Sequence, residues 1–332
     1  MNNKPIDFVI TWVDGNDKKW QEERKQYDNQ SNIDNREVRY REWENLKYWF
    51  RGVEKFAPWV NKIYFITYGH VPEWLNLQND KIVVVKHSEY MPDKYIPTFS
   101  SHPIELNIHR IQSLSQNFVY FNDDMFILKD VKEDDFFFHN IPCDSAIMSP
   151  IFALDREGFS KIVVNNMSII NNRFNKNDVV KSNFLKWFNI KYKKDLMKNI
   201  FLNSWDRFAG FFDFHIPISY HKSTFEKVWE NEEEILNNTC LHKFRNVNED
   251  VNHWLMRYWQ LAVGNFYPRD VNFSKYLEYS NNNAEIYDWI KKQKSKIVCI
   301  NDVEGNYRFE EEKQKTIEAF ESILPDKSSF EI

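Results

Sequence analysis

Four short apolar runs, each closed by a turn or an acidic residue, constrain the fold of this chain more than any other feature. Residues 6–12 (IDFVITW) are β-branched and aromatic and run into Asp14-Gly15. Residues 62–67 (KIYFIT) stop before Gly69, residues 81–86 (KIVVVK) form a third run, and 118–121 (FVYF) lead at once into Asn122-Asp123-Asp124. Runs this short and this apolar predict strands buried on both faces. Between the first two, Leu46, Trp49, Phe50, Val53 and Phe56 keep helical spacing as far as Ala57-Pro58. Residues 104–114 read as a further helix. Strands alternating with helices predict an α/β domain with a mostly parallel sheet flanked by helices. In such sheets ligands bind outside the carboxyl ends of the strands. Asp14 and Asp123-Asp124 fall there.

The rest of the chain adds fewer strands. Residues 159–214 are rich in Asn, Lys and aromatics and read as a helical insertion. Helical patterns follow at 222–237 and 250–262, then a late strand at 295–300 leading into Asn301-Asp302, then an amphipathic helix over 309–323. The cleanest boundary lies near Pro150. Aromatic residues make up 17% of the 332, among them 12 Trp and 28 Phe, which is ample material for a large core.

Charge and cysteine content narrow the classes. A formal net charge of −5 gives no argument for a nucleic-acid partner. The basic stretch Lys191–Lys194 is more often a solvated face than a membrane or polyanion contact. Three cysteines, Cys143, Cys240 and Cys299, are widely spaced and odd in number, which disfavours a disulfide framework or zinc site and fits a reducing compartment. Neither a signal-peptide pattern nor an apolar run long enough to span a bilayer is visible. The expectation is a cytoplasmic protein, with any membrane contact peripheral.

The acidic residues carry the first hint of chemistry. Two adjacent carboxylates such as Asp123 and Asp124 repel unless a cation sits between them, and carboxylates with substrate phosphates are the usual holders of Mg²⁺ or Mn²⁺. A solvated turn with a helix cap is the plainer alternative. Asp14 is equally at home in an Asp-Gly turn. Trp12 suits either a nucleotide pocket or the core. Glu105 and His109, four apart on the expected helix, share a face and could orient a base or hold sugar hydroxyls, or form an ordinary surface pair. His215 and Arg245 are the residue types that a phosphoryl transfer uses as base and charge-spreading cation.

Taken together these segments resemble the Stealth family. Its first block is similar to residues 6–17 (IDFVITWVDGND). Its second is similar to 39–131, including RYREWENLKYWFRGVEKFAPWVNKIYFITYGHVPEWLN and IPTFSSHPIELNIHRIQSLSQNFVYFNDDMF. The third is matched more loosely by HIPISYHKSTFEKVW and KFRNVNEDVN, the fourth by CINDVEG and LPDKSSFE. The resemblance implies a Rossmann-like or glycosyltransferase-A-like core in a single catalytic domain over 1–332. Within it, 1–150 would form the nucleotide- and metal-binding part, and 151–332 a helical and C-terminal catalytic part. It also implies transfer of a sugar-1-phosphate from a UDP-sugar to a hydroxyl of an acceptor glycan, lipid-linked or free, with UMP leaving. Carried onto this sequence, it assigns Asp123, Asp124 and Asp302 to a divalent metal. His215, Arg245, Asp14 and Glu105 take catalytic roles. Thr11, Trp12, Gly15, Arg51, His109, Arg110 and Asn122 bind the donor. Two other readings stay open: a metal-dependent glycosyltransferase releasing UDP, and a glycan-binding relic of an enzyme.

Overall fold

The computed structural model describes residues 4–27, 41–152, 158–303, 305 and 307–332. The strands in chain order are β1 (Ile6–Thr11), β2 (Ile63–Thr67), β3 (Ile82–Lys86), β4 (Asn117–Phe121), β5 (Met125–Ile127) and β6 (Phe137–Phe138). They continue with β7 (Ile141–Asp144), β8 (Ile218–His221), β9 (Tyr267–Pro268), β10 (Ser274–Glu278) and β11 (Ile297–Asn301). The main sheet has the order β3-β2-β1-β4-β8. Its first four strands are parallel, and β8 pairs antiparallel with β4. The fold is therefore the expected α/β architecture with a mostly parallel sheet.

Alternate residues of these strands feed two separate cores. Val9, Tyr64, Ile66, Phe118 and Tyr120 face one, against the helices Ser101–Leu106, Phe159–Arg173, Lys222–Leu241 and Trp254–Ala262. Phe8, Ile10, Ile63, Phe65, Val119 and Phe121 face the other, with Leu46–Phe56, Ala284–Lys291 and Phe309–Glu321. Cover on both faces is why β1, β2 and β4 read as continuous apolar runs.

Later segments complete both sheets that matter for the site. β8 closes the main sheet beside β4, and β11 pairs antiparallel with β5 in a second sheet of order β10-β11-β5. Strands from beyond Pro150 thus pair directly with strands from before it.

The helix expected over 104–114 is a correction. It spans only Ser101–Leu106, begun by the Ser100 side chain, which accepts from the His102 N–H. At Asn107 the side-chain amide turns back to the Pro103 carbonyl at 2.7 Å and reaches Cys240 Sγ at 3.3 Å. A short 3₁₀ turn, Ile108–Arg110, follows. Local side-chain bonding of this kind competes with helix propagation.

Two buried histidines give the fold a pH signature. Burial pushes both His87 and His109 down to about 3, with His70 and Arg110 respectively adding to the effect. A histidine whose folded pKa is depressed contributes stability above its unfolded value, and that contribution is lost as the pH falls below it. With an unfolded pKa near 6.5, each should cost roughly 1.4 kcal/mol at pH 5.5. These two rings are expected to contribute a loss of roughly 3 kcal/mol to the change that chemical denaturation shows between pH 7.5 and 5.5. His109→Gln should reduce that pH-dependent loss by roughly 1.4 kcal/mol. An identical loss in the variant would show that His109 is not buried neutral.

Candidate active site

The carboxyl ends of β1 and β4 emerge side by side because Ile10 pairs with Phe121 in parallel register. The segment from Thr11 to Asp14 and the segment from Asn122 to Asp124 therefore leave the sheet together. Thr11 Oγ1 lies 2.9 Å from the Tyr120 hydroxyl, which donates to Glu105 Oε1 at 3.4 Å. The Asp14 N–H donates to His70 Nε2 at 2.8 Å, and its carboxylate accepts from the Asn16 N–H, so Asp14 shapes a turn as well as lining the cleft. Trp12 is half-buried and stacks on Phe65 at 5.7 Å, so one face of its ring belongs to the core. Gly15 is buried, and its carbonyl accepts from Gln21.

Asp123 is open to the cleft yet ringed by protein. Its carboxyl is pushed up to about 7, chiefly by desolvation and then by the charges of Asp124 and Glu42. Glu42 is itself raised by burial, with Asp14 adding to the effect and Trp12 hydrogen-bonding in opposition. Four carboxyl groups thus crowd one region, a state that a cation relieves.

Asp124 has a different set of neighbours. Its Oδ2 lies 3.5 Å from His215 Nε2 and accepts from Cys299 Sγ at 3.2 Å. Its Oδ1 is buried without a hydrogen-bond partner. One ligand atom each from Asp124, His215 and Cys299 lies within 4.8 Å of the others. The pairing of β11 with β5 explains Cys299: it sits opposite Met125, and the Ile300 N–H donates to the Asp124 carbonyl at 2.9 Å. The carboxylate and imidazole donors, with Asp123 alongside, fit a divalent cation; the Cys299 thiol, whose pKa burial and the Asp124 charge push well up, joins as a ligand only on losing its proton.

His215 adopts φ +48°, rare for a residue with a side chain, and such outliers cluster at functional sites. Burial opposes protonation of its ring, but the hydrogen bond and charge of Asp124, with Asp213 and Glu105, raise its pKa above the ordinary value. Two residues before it, Asp213 accepts from Arg257 at 2.5 Å and from the Tyr258 hydroxyl at 2.5 Å. Arg257 also donates to both oxygens of Asp144, at 2.8 and 3.0 Å. This buried network holds the loop that carries His215.

Glu105 is buried beside His253, His102 and Arg245. Burial opposes its ionisation, but those three groups together hold its carboxyl below the usual range. Arg245 donates to Ser101 Oγ at 3.0 Å, and His102 Nδ1 lies 3.2 Å from Asp250. His253, pushed down to about 4 mainly by burial, bonds the Tyr220 hydroxyl at 3.0 Å.

Four expected site residues lie elsewhere. Arg51 is buried in the second core's helix and spends its guanidinium on Glu331, at 2.8 Å through both Nε and Nη2, and on the Leu324 carbonyl. It anchors the C-terminal segment. His109 falls beyond the end of its helix and packs against Phe225 and Trp229, so it does not share a face with Glu105. Arg110 lies over the Trp229 ring and bonds Asn107. Asp302 accepts from Trp43 at 3.1 Å and from the Tyr307 hydroxyl, outside the Asp124 group. Cys299, three residues earlier, is the β11 residue that meets Asp124. A cavity of 380 Å³ lined by Lys191, Tyr267 and Arg269 also lies apart from the acidic cluster.

The molecule is thus an α/β domain with acidic residues at the carboxyl ends of adjacent parallel strands and an imidazole facing one of them. The conserved regions 1 and 2 of Stealth proteins match residues 4–32 and 39–143. The chain is 50% identical to a capsular polysaccharide phosphotransferase WcwK of Streptococcus pneumoniae, over 99% of each chain. It is 40% identical to the exopolysaccharide phosphotransferase cps2G of Lactiplantibacillus plantarum, over 98% of this chain and 96% of the other. A galactosyltransferase LgtC with donor and acceptor sugar analogues aligns over 96% of both chains at TM-score 0.38 and 9% identity, too distant a superposition to bear on the chemistry. The chain belongs to the Stealth family of polysaccharide phosphotransferases.

Proposed function

We propose that this protein transfers a hexose-1-phosphate or N-acetylhexosamine-1-phosphate from a UDP-sugar to a hydroxyl of an acceptor glycan in capsular or cell-surface polysaccharide. The reading rests on one observation above the others: Asp123, Asp124 and His215 meet at the carboxyl ends of β1 and β4 in a chain with full-length phosphotransferase relatives. The acceptor oxygen bonds to the β-phosphorus, the bridging P–O bond breaks, and UMP departs, leaving a phosphodiester. When bound, a divalent cation supplies positive charge against the pyrophosphate.

The protein groups divide the remaining work. His215 takes the acceptor proton, and Asp124 beside it steadies the imidazolium that forms. Asp213, held by Arg257 and Tyr258, fixes the loop. Arg245 counters charge on the transferring phosphoryl group and orients Glu105, which is placed for sugar hydroxyls. Thr11, Trp12, Gly15, Asp14 and Asn122 line the donor side. The closeness of His215 to Asp124 and Cys299 also supports a second role for it, as a metal ligand.

The deciding experiment is product analysis. Incubation with a panel of UDP-sugars, Mn²⁺ or Mg²⁺ and an oligosaccharide acceptor is expected to release UMP. Release of UDP would make the protein a glycosyltransferase instead, and no turnover with any donor would favour a binding relic. Among the described residues no helix is long and apolar enough to cross a membrane. We place the protein in the cytoplasm, at the inner membrane face, where a lipid-linked acceptor would be presented.

A further inference from the structure

Exposed apolar side chains concentrate in one segment of this molecule. Leu185 is 77% exposed, Ile190 87%, Phe201 68% and Trp205 53%. On the helix Leu196–Leu202, Met197, Ile200 and Phe201 stand at i, i+3 and i+4, so they share one face, while Asn199 and Leu202 are buried beneath them. Phe184 stacks on Phe188 at the neighbouring short helix Phe184–Trp187 and is itself exposed. Soluble surfaces rarely gather so many large apolar groups without a partner to cover them.

The segment is not a loose loop. Asn199 donates to the Trp187 and Ala146 carbonyls at 2.6 and 2.7 Å and accepts from the Met148 N–H at 2.6 Å. Tyr192 and Trp187 are fully buried, and the Tyr192 hydroxyl donates to the Lys186 carbonyl at 2.6 Å. Lys176, buried under the patch, donates to the carbonyls of Asn203 and Trp205. The apolar groups are therefore presented outward on a fixed base.

Charge identifies the occupant. Residues 181–205 carry six lysines and one acid, Asp195, a formal +5 on a chain whose formal net charge is −5. Asp195 is held by Lys198 at 3.0 Å and Lys193 pairs with Asp270 at 2.9 Å, while Lys181 and Lys194 stand exposed among the apolar groups. A protein partner or a second copy of an acidic chain does not need this combination. A bilayer with anionic headgroups does: apolar and aromatic side chains enter the headgroup boundary, and lysines meet the negative surface.

We infer that the surface formed by residues 181–205 docks this protein onto a membrane bearing anionic lipids. Its position suits the chemistry, since Lys198 lies over the Phe212 ring at 4.1 Å, three residues before His215. Docking there brings the base and the acidic cluster to a membrane-held acceptor. That consequence rests on the phosphotransferase reading, whereas the surface itself does not.

The test uses the full chain and vesicles of phosphatidylglycerol and phosphatidylcholine in equal parts, with pure phosphatidylcholine as control. Co-sedimentation with the anionic vesicles is expected, falling steeply at about 0.5 M salt. The triple variant Leu185→Ser, Ile190→Ser, Phe201→Ser should bind at least about tenfold more weakly. Its UMP release with a soluble acceptor should match the parent protein. Equal vesicle binding by the variant, or no binding by the parent, overturns the inference. So does a dimer in sedimentation velocity that the variant loses while neither protein binds vesicles. Vesicle binding that depends on these residues in a protein that releases no UMP would uphold the surface and refute the phosphotransferase reading.

Discussion

Asp124→Asn is expected to lower turnover on the order of 10³-fold while leaving the melting temperature nearly unchanged. The substitution keeps the side chain's size but removes its charge and replaces one oxygen with a donor. Asp124 Oδ1 is buried with no hydrogen-bond partner, and Oδ2 faces His215 and Cys299. Oδ1 is thus left for a cation, and the fold leans on this side chain only through the weak Cys299 thiol bond and the His215 contact at Oδ2. Calorimetric titration with Mn²⁺ should show binding to the parent protein and a large loss in the variant. Near-normal turnover, still sensitive to chelator as in the parent, would remove Asp124 from the metal site.

His215→Ala is expected to cost about 10²–10⁴-fold in turnover, the usual contribution of a positioned general base. A sugar hydroxyl is a weak nucleophile while protonated, and the His215 ring faces Asp124 at 3.5 Å, within reach of a carboxylate that stabilises its charged form. The two roles open to it separate cleanly by experiment. A base leaves Mn²⁺ affinity and donor affinity nearly intact and flattens the pH dependence of kcat. A ligand lowers Mn²⁺ affinity in proportion to turnover. If the variant melts early but keeps its rate when folded, the ring only packs, and the base belongs elsewhere in the cleft, with Asp14 and Glu105 the next to test.

The parts of this molecule that were legible in its sequence are those whose physics is local. β1, β2 and β4 are covered on both faces, so each appears as an unbroken apolar run, and the acidic residues at their ends follow from that reading. β5 and β8, three and four residues long, are too short to stand out, although one carries the strand after Asp124 and the other closes the sheet. Arg51 resembled a ligand-binding arginine because its partner, Glu331, is 280 positions away. A lone cysteine in an apolar strand ordinarily signals packing, so Cys299 gives no local sign of the site. Only the register of β11 against β5 brings Cys299 to Asp124 and turns Asp302 toward Trp43. Glu42, just before the helix Leu46–Phe56, carried no periodic signal at all.

Asp124 and the two groups that converge on it, His215 and Cys299, come from widely separated stretches of chain, with Cys299 lying 175 positions after Asp124. Contacts of such long range close late, because the entropy of the intervening loops must be overcome before they form. A chain that has formed β1 to β4 alone has the crowded carboxyl groups of Asp14, Glu42, Asp123 and Asp124 but neither the His215 imidazole nor the Cys299 thiol opposite them. Catalytic competence should therefore appear in the slowest refolding phase, well after helical structure. Intermediates would carry the acidic side of the site without the imidazole, and so could attract a cation but not activate an acceptor hydroxyl.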